Sequence, residues 1–462
     1  MKVLEVGLVA PPPETTASTA ASETSLPLTF FDILWARFPP VERLFFYKVP
    51  NLPSSPFHSV LPKLKHSLSL TLRHFLPLAG NIIWPPHTPK PFIRYVSGED
   101  GVSLTVAESD ADFNRLSGSD FSEADESRRL VPHLTVSDEK ASVMSLQITL
   151  FPSSGFSIGI ATHHATMDGK SSTLFMKAWA YLCSNLGESL STSSSVSSLP
   201  ENLRPSFDRS VIIDPSGKIS ETFANFYLKQ DGPSNRSLML WDIKKNVQEK
   251  LIRGTFELLP SSIQKLKKSA ESKMNKKKLH LSTFSVTCAY VINCLVKVEE
   301  TKQDKVLFIF SMDYRSRLDP PIPSAYFGNC IGATQAVAET KNMLGDDGFI
   351  VALEAISESL KRLEDEEILR AAERWISYME IFGLTDTYRI FSTAGSPRFE
   401  VYNTDFGWGR PKKVDIVSID HTGAFSLSDG RNGNGGIEIG LVLSKTKMEA
   451  FSALFVKGLS CL

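Results

Sequence analysis

Two adjacent histidines, His163 and His164, are followed by Asp168 and Gly169, which places a base and a carboxylate four residues apart. The pattern changes around them. "GFSIGIAT", just before, is apolar and rich in β-formers, as a buried strand requires. From about Gly169, Thr173, Met176 and Ala180, with Leu174, Ala178 and Leu182, recur at helical spacing. The histidine and the aspartate therefore occupy a strand-to-helix turn, the kind of place where loops build sites. An imidazole titrates near neutrality and suits general-base work. Zinc chemistry of the HExxH type needs a Glu and a second His on one helix, and neither is present. The one G-x-S-x-G match, Gly155 to Gly159, lies within that strand-like run and not at the strand-to-helix turn where a serine nucleophile would stand. Asp168 carries a second reading, because Asp is a favoured N-cap and would close the first turn of the helix.

The elements that position this turn are partly legible. "VMSLQITLFPSSGFSIGIAT" reads as a hairpin around Pro152-Ser153-Ser154-Gly155. Phe57, Leu61, Leu64, Leu68 and Leu72 predict a helix, although Leu68, Leu70 and Leu72 alternate and leave its end ambiguous. Leu353, Ile356, Leu360 and Leu363 predict another. "IEIGLVLS" predicts a strand and "KTKMEAFSALFVKGL" a helix behind it, with Thr446 and Glu449 as a capping box. This last strand, turn and helix echo the one around His164, which suits two halves of related fold. Residues 184–206 are Ser-rich without apolar periodicity and read as a linker; 230–237 is a second loose segment. The expected division is 1–185, a crossover over 186–239, and 240–462.

A chain of 462 residues suits two domains of roughly 200 residues each. Formal net charge is −1, which argues against nucleic acid or an anionic membrane as a bulk partner. The five cysteines form no CxxC, so neither a disulfide framework nor a structural metal is indicated. The apolar run at the N-terminus is too short for a signal peptide, and no stretch approaches the roughly 20 apolar residues of a membrane span. The expected compartment is the cytosol, which leaves the sequon at Asn235 unused.

A second signal lies far downstream in "YNTDFGWGRPKK", where Gly407 and Gly409 flank Trp408 after Asp405. With "HHATMDG" it forms a pair that resembles the plant BAHD acyl-CoA-dependent acyltransferases. The resemblance continues through "LPLTFFDILW" at 26–35, "LPLAGN" at 76–81 and "DYRSRLDPPIPSAYFGNC" at 313–330, and so spans essentially the whole chain. "YFGNC" resembles the branch that acylates anthocyanins and other flavonoid or phenolic glycosides.

That resemblance implies an α/β fold of two chloramphenicol acetyltransferase-like domains, mixed sheets and helices, with the active site in a channel between them. It implies that His164 takes the proton from an acceptor hydroxyl, which attacks the thioester of acyl-CoA in a ternary complex with no covalent enzyme intermediate. It implies that Asp168 is structural and pairs with Arg315. Alternation at a strand end turns His163 away from His164, which reads it as a packing or supporting residue. Asp405, Gly407, Trp408 and Gly409 form a structural motif near CoA, with the Trp408 indole N–H as a further donor. Seven lysines in "KLKKSAESKMNKKKLHLSTF" precede a strand-like run; a solvated loop is the competing reading, and Lys278, Ser282 and Thr283 are the candidates for the CoA phosphates. A malonyl donor needs a cation for its carboxylate, and Lys177 or Lys170 would supply it. The expected reaction is malonyl transfer to a sugar hydroxyl of a flavonoid or phenolic glucoside. Hydroxycinnamoyl transfer, acylation of an amine, and a non-catalytic ligand-binding relative are the alternatives. Acyl-CoA enters as co-substrate with no permanently bound cofactor or metal, and the chain is expected to be a monomer.

Overall fold

The computed structural model describes residues 1–13, 22–49, 60–186, 198–230, 234–242, 250–273, 279–364, 374–377 and 387–461. Three sheets organise them. The first has six strands in the order Lys2–Val9, Val102–Glu108, Met144–Phe151, Gly155–Thr162, Val41–Lys48 and Lys413–Ile416. Its two central strands are the expected hairpin, paired from Gly155 opposite Phe151 to Thr162 opposite Met144. All eight residues of each are buried. A strand covered on both faces reads as a continuous apolar run rather than an alternation, which is why this segment was conspicuous in the sequence.

The second sheet has seven strands in the order Ile331–Glu339, Lys305–Asp313, Tyr388–Ala394, Phe425–Asp429, Ile437–Ser444, Leu251–Leu258 and Ser122–Glu123. A smaller four-stranded sheet joins Glu23–Pro27, Phe92–Val96, Asn81–Ile83 and Lys140–Ser142. The first two sheets exchange strands. Lys413–Ile416 comes from the C-terminal half yet pairs with Val41–Lys48, and Ser122–Glu123 comes from the N-terminal half yet pairs with Leu251–Leu258. The crossover expected over 186–239 falls partly on 187–197 and 231–233, outside the described residues.

The helices follow burial. Val60–His74 buries Leu61, Leu64, Leu68 and Leu72, so helical spacing wins over the Leu68/Leu70/Leu72 alternation; Phe57 lies outside the described residues. Gly348–Glu364 carries Leu353, Ile356, Leu360 and Leu363 into the core of the second sheet. Two expectations need correction. The last helix, Lys445–Ser460, starts after Ser444 with no side-chain cap bond, which leaves Thr446 inside the first turn and not at the cap of a capping box. The strand-like run after the lysines opens the helix Thr283–Glu299, whose residues from Ser285 to Val296 are all buried. A run that is apolar on every face carries no period to separate a strand from a helix.

Candidate active site

The Gly155–Thr162 strand ends one residue before His163, and a tight turn begins there. The His163 N–H donates to the Val143 carbonyl at 2.9 Å, while the Thr166 N–H and hydroxyl both donate to the His163 carbonyl. Asp168 then opens the helix Gly169–Asn185. Its Oδ1 accepts the Ser171 N–H at 2.9 Å, so it is the N-cap. Its Oδ2 accepts from Arg315 Nη1 at 2.8 Å and from the Cys330 N–H at 3.2 Å. One carboxylate thus serves both roles that its position allowed. Arg315 reaches on to Asp313 Oδ1 at 3.1 Å and the Gly328 carbonyl at 3.1 Å. Both partners are buried, at 2% and 3% exposure. Burial pushes the Asp168 carboxyl up, but the Arg315 guanidinium and the two backbone N–H groups outweigh it and hold the group below its usual range. A pair this deep is costly to break, since either survivor is a bare charge in apolar surroundings.

"YFGNC" runs along the other side of the same turn. The Asn329 side-chain amide donates to the His164 carbonyl at 2.9 Å and to Asp32 Oδ1 at 3.0 Å. Asp32 is fully buried; Oδ1 also takes the Asn329 N–H, and Oδ2 takes the N–H and hydroxyl of Thr29. Four donors therefore surround a buried carboxylate. Gly328 lies at φ +153°, a backbone conformation that favours glycine, and a Cβ there would displace the Arg209 guanidinium, 2.1 Å away. Sequence reasoning used "YFGNC" as a branch marker and missed that Asn329 and Asp32 hold the histidine turn. Their presence in quoted motifs was the available signal.

The His164 ring stacks on Trp35, with centroids 4.2 Å apart and planes 12° from parallel. Phe38 stands edge-on at 6.2 Å, and Trp241 tilts against Phe38 at 5.3 Å. His164, Phe38 and Trp241 remain partly exposed. Burial lowers the His164 pKa to about 4, against the opposing pull of its own carbonyl and Asp168. The ring is neutral at ordinary pH. Nδ1 is buried, so Nε2 is the ring nitrogen placed to meet a substrate. His163 is fully buried on the other side, its Nδ1 accepting the Ala165 N–H at 3.2 Å, and burial with the neighbouring His164 lowers its pKa to about 3.

Of the remaining sequence candidates, Lys170 reaches this cluster through Asp313, the carboxylate that also takes Arg315. Lys177 pairs with Glu400 at 3.1 Å, and Lys170 lies 3.7 Å from Asp313. Ser282 caps the Thr283–Glu299 helix, and Thr283 Oγ1 accepts from Lys267 Nζ at 3.4 Å; Lys278 is outside the described residues. Asp405 Oδ1 takes the N–H groups of Gly407 and Gly409, both at positive φ, at 2.7 and 2.9 Å. The following Phe406 packs edge-on against Trp179 at 4.9 Å, and Trp408 edge-on against Phe156. Trp179 is eleven residues beyond Asp168, or about 16 Å along the helix. The DFGWG turn therefore braces the far part of the helix that Asp168 starts. Among the described residues no group of three or more acidic, Cys or His side chains is placed to hold a metal, and no helix is long and apolar enough to cross a membrane.

Comparison with known proteins agrees with this geometry. A family model described as the Transferase family matches residues 14–456. The chain is 42% identical to phenolic glucoside malonyltransferase 2 of Arabidopsis thaliana, over 99% of each protein. It is 38% identical to agmatine coumaroyltransferase of the same plant, again over 99% of each. The fold is that of vinorine synthase, with a TM-score of 0.67 at 20% identity over 97% of this chain and 96% of that one. The expected two-domain acyltransferase architecture is therefore the observed one.

Proposed function

Because the chain belongs to the Transferase family, as a BAHD acyl-CoA-dependent acyltransferase, we propose that it moves a malonyl group from malonyl-CoA to a sugar hydroxyl of a phenolic or flavonoid glucoside. His164 is the general base. Nε2 takes the proton of the acceptor hydroxyl as its oxygen attacks the thioester carbonyl. The tetrahedral intermediate collapses, the C–S bond breaks, and the CoA thiolate leaves with the proton returned through His164. No acyl-enzyme forms, so donor and acceptor are bound together. Residues 1–185 and 240–462 supply the two walls of the channel. Asp168 and Arg315 hold the turn without touching the substrate. The DFGWG turn supports the helix, and Ser282 with Thr283, at a helix start, suits the anionic end of CoA.

The observation that carries this reading is the neutral, partly exposed imidazole of His164, stacked on Trp35 and held through its carbonyl by Asn329. The malonyl assignment rests on the malonyltransferase relative at 42% identity. A coumaroyl donor with an amine acceptor is the second reading, supported by the agmatine coumaroyltransferase relative at 38%. One assay separates them: purified protein with a phenolic glucoside or agmatine, and either malonyl-CoA or p-coumaroyl-CoA, read by mass spectrometry of the acceptor. A malonylated glucoside supports the first reading. A coumaroylated product replaces it, and loss of activity in His164→Ala is required by both.

A further inference from the structure

One deeply buried cation has no anion to match it. Arg43 lies on the Val41–Lys48 strand between Ile160 and Ile416, at 2% exposure. Nη1 donates to Thr173 Oγ1 at 2.8 Å and Nη2 to the Gly169 carbonyl at 3.3 Å, while Nε is buried without a partner. Two other deeply buried arginines are matched: Arg315 by Asp168 at 2.8 Å, and Arg253 by Asp420 at 3.6 Å. Among the described residues no carboxylate forms an ion pair with Arg43. Burial lowers its pKa to about 10, and the charge of Asp168, already engaged by Arg315, offsets this only in part. A guanidinium in such surroundings is stabilised by an anion brought to it.

The geometry shows where that anion would sit. Arg43 lines a cavity of about 20 Å³ together with Phe399, Ile416, Ser426 and Ser428. The cavity lies at the seam of the two large sheets, since Ile416 belongs to the first and both serines to the second. It also adjoins the start of the motif helix. Phe399 faces the guanidinium at 5.9 Å, and a Cβ on Gly169 would lie 2.5 Å from its ring. A charged fork and two hydroxyls in an otherwise apolar wall suit a carboxylate. A space this small holds one or two water-sized groups, so it takes a carboxylate terminus and rejects an aromatic ring. Of the cations expected to read the donor, Lys177 faces Glu400 and Lys170 lies near Asp313, which Arg315 also engages.

We propose that Arg43, with Ser426 and Ser428, forms the subsite for the terminal carboxylate of a short dicarboxylic acyl donor. This rests on the malonyl-transfer reading and names the residues that select the donor. The test compares kcat/KM for malonyl-CoA and acetyl-CoA, with one phenolic glucoside as acceptor, in the wild-type chain, Arg43→Gln and Ser428→Val. The ratio of the two donors within one preparation does not depend on the fraction folded. Arg43→Gln should lower the malonyl-to-acetyl ratio by about 10-fold or more, the scale of a lost charged hydrogen bond, chiefly through KM. Ser428→Val, which fills the cavity and leaves Arg43 in place, should lower it in the same direction, and decides the matter if Arg43→Gln is inactive with both donors. Unchanged ratios in the active variants, while the wild type prefers malonyl, would overturn the subsite and leave the functional reading standing. A wild-type chain that transfers p-coumaroyl and not malonyl would overturn the functional reading, and the subsite with it.

Discussion

Asn329 holds His164 by its backbone: the side-chain amide donates to the His164 carbonyl at 2.9 Å, across 165 positions of sequence. The same amide is anchored to the buried Asp32. The imidazole hangs from a carbonyl whose position is set by a residue of the other half of the chain. Asn329→Ala should therefore lower kcat by about 5- to 100-fold, the span of one such bond in a buried site, with little change in KM for either substrate. Asp32→Asn should act in the same direction, because it replaces acceptor lone pairs with donors facing donors. Steady-state kinetics beside a melting curve checks both; a KM effect with kcat intact would place Asn329 in substrate binding instead.

Asp168 and Arg315 form a buried pair joining segments 147 residues apart. Arg315→Ala or Asp168→Ala leaves an uncompensated buried charge and should cost about 3–5 kcal/mol of stability. The double variant should cost clearly less than the sum, since the second change removes the orphaned charge. Urea unfolding of the four proteins gives the coupling; additive losses would mean that the two groups do not act as a pair.

His164→Ala should abolish turnover and leave the fold intact. In the wild type, loss of activity on acidification should follow a group near pH 4, well below an ordinary imidazole, because burial lowers the His164 pKa to about 4. Stability should move with the same groups. His163 and His164 stay neutral in the folded chain but take up protons near pH 6.5 once unfolded, so the unfolded state binds more protons between those values. Stability is full above about pH 6.5 and falls as pH drops toward the folded-state values. Replacing His163 by Asn should flatten that slope in unfolding curves taken across the window.

The partly exposed rings of Phe38 and Trp241 flank the base. Trp241→Ala should raise KM for an aromatic glucoside several-fold, on the scale of one lost aromatic contact of about 0.5–1.5 kcal/mol. KM for an alkyl glucoside should change little. Equal effects on both acceptors would show that Trp241 supports the loop and does not meet the aglycone.

The DFGWG turn should behave as structure. Phe406→Ala removes a fully buried ring from Trp179 and Tyr47 and should cost about 3–5 kcal/mol. The folded fraction should keep its kcat within about twofold, the spread expected of a residue that makes no transition-state contact. A large kcat loss in well-folded protein would bring the turn into the chemistry.

What the sequence determined by itself was local. The hairpin before His163, the helix after Asp168 and the helix over Val60–His74 all carry their period within a few residues, and burial on one or both faces wrote that period. Resemblance to a family, carried by the motifs, pointed to His164 and implied the pairing of Asp168 with Arg315 that the structure shows. Tertiary structure alone decided the rest. The stacking of Trp35 on His164, the Asp32–Asn329 grip and the strand exchange between sheets join segments 100 or more residues apart, and no spacing rule encodes such contacts. The strand-like run after the lysines opened a helix at Thr283 because a segment buried on every face has no face to reveal its period. The same reason separates the lysines from Arg43. Charge can be counted in a sequence, but whether a charge is paired at the surface or left unmatched beside a cavity is settled only when distant strands close around it.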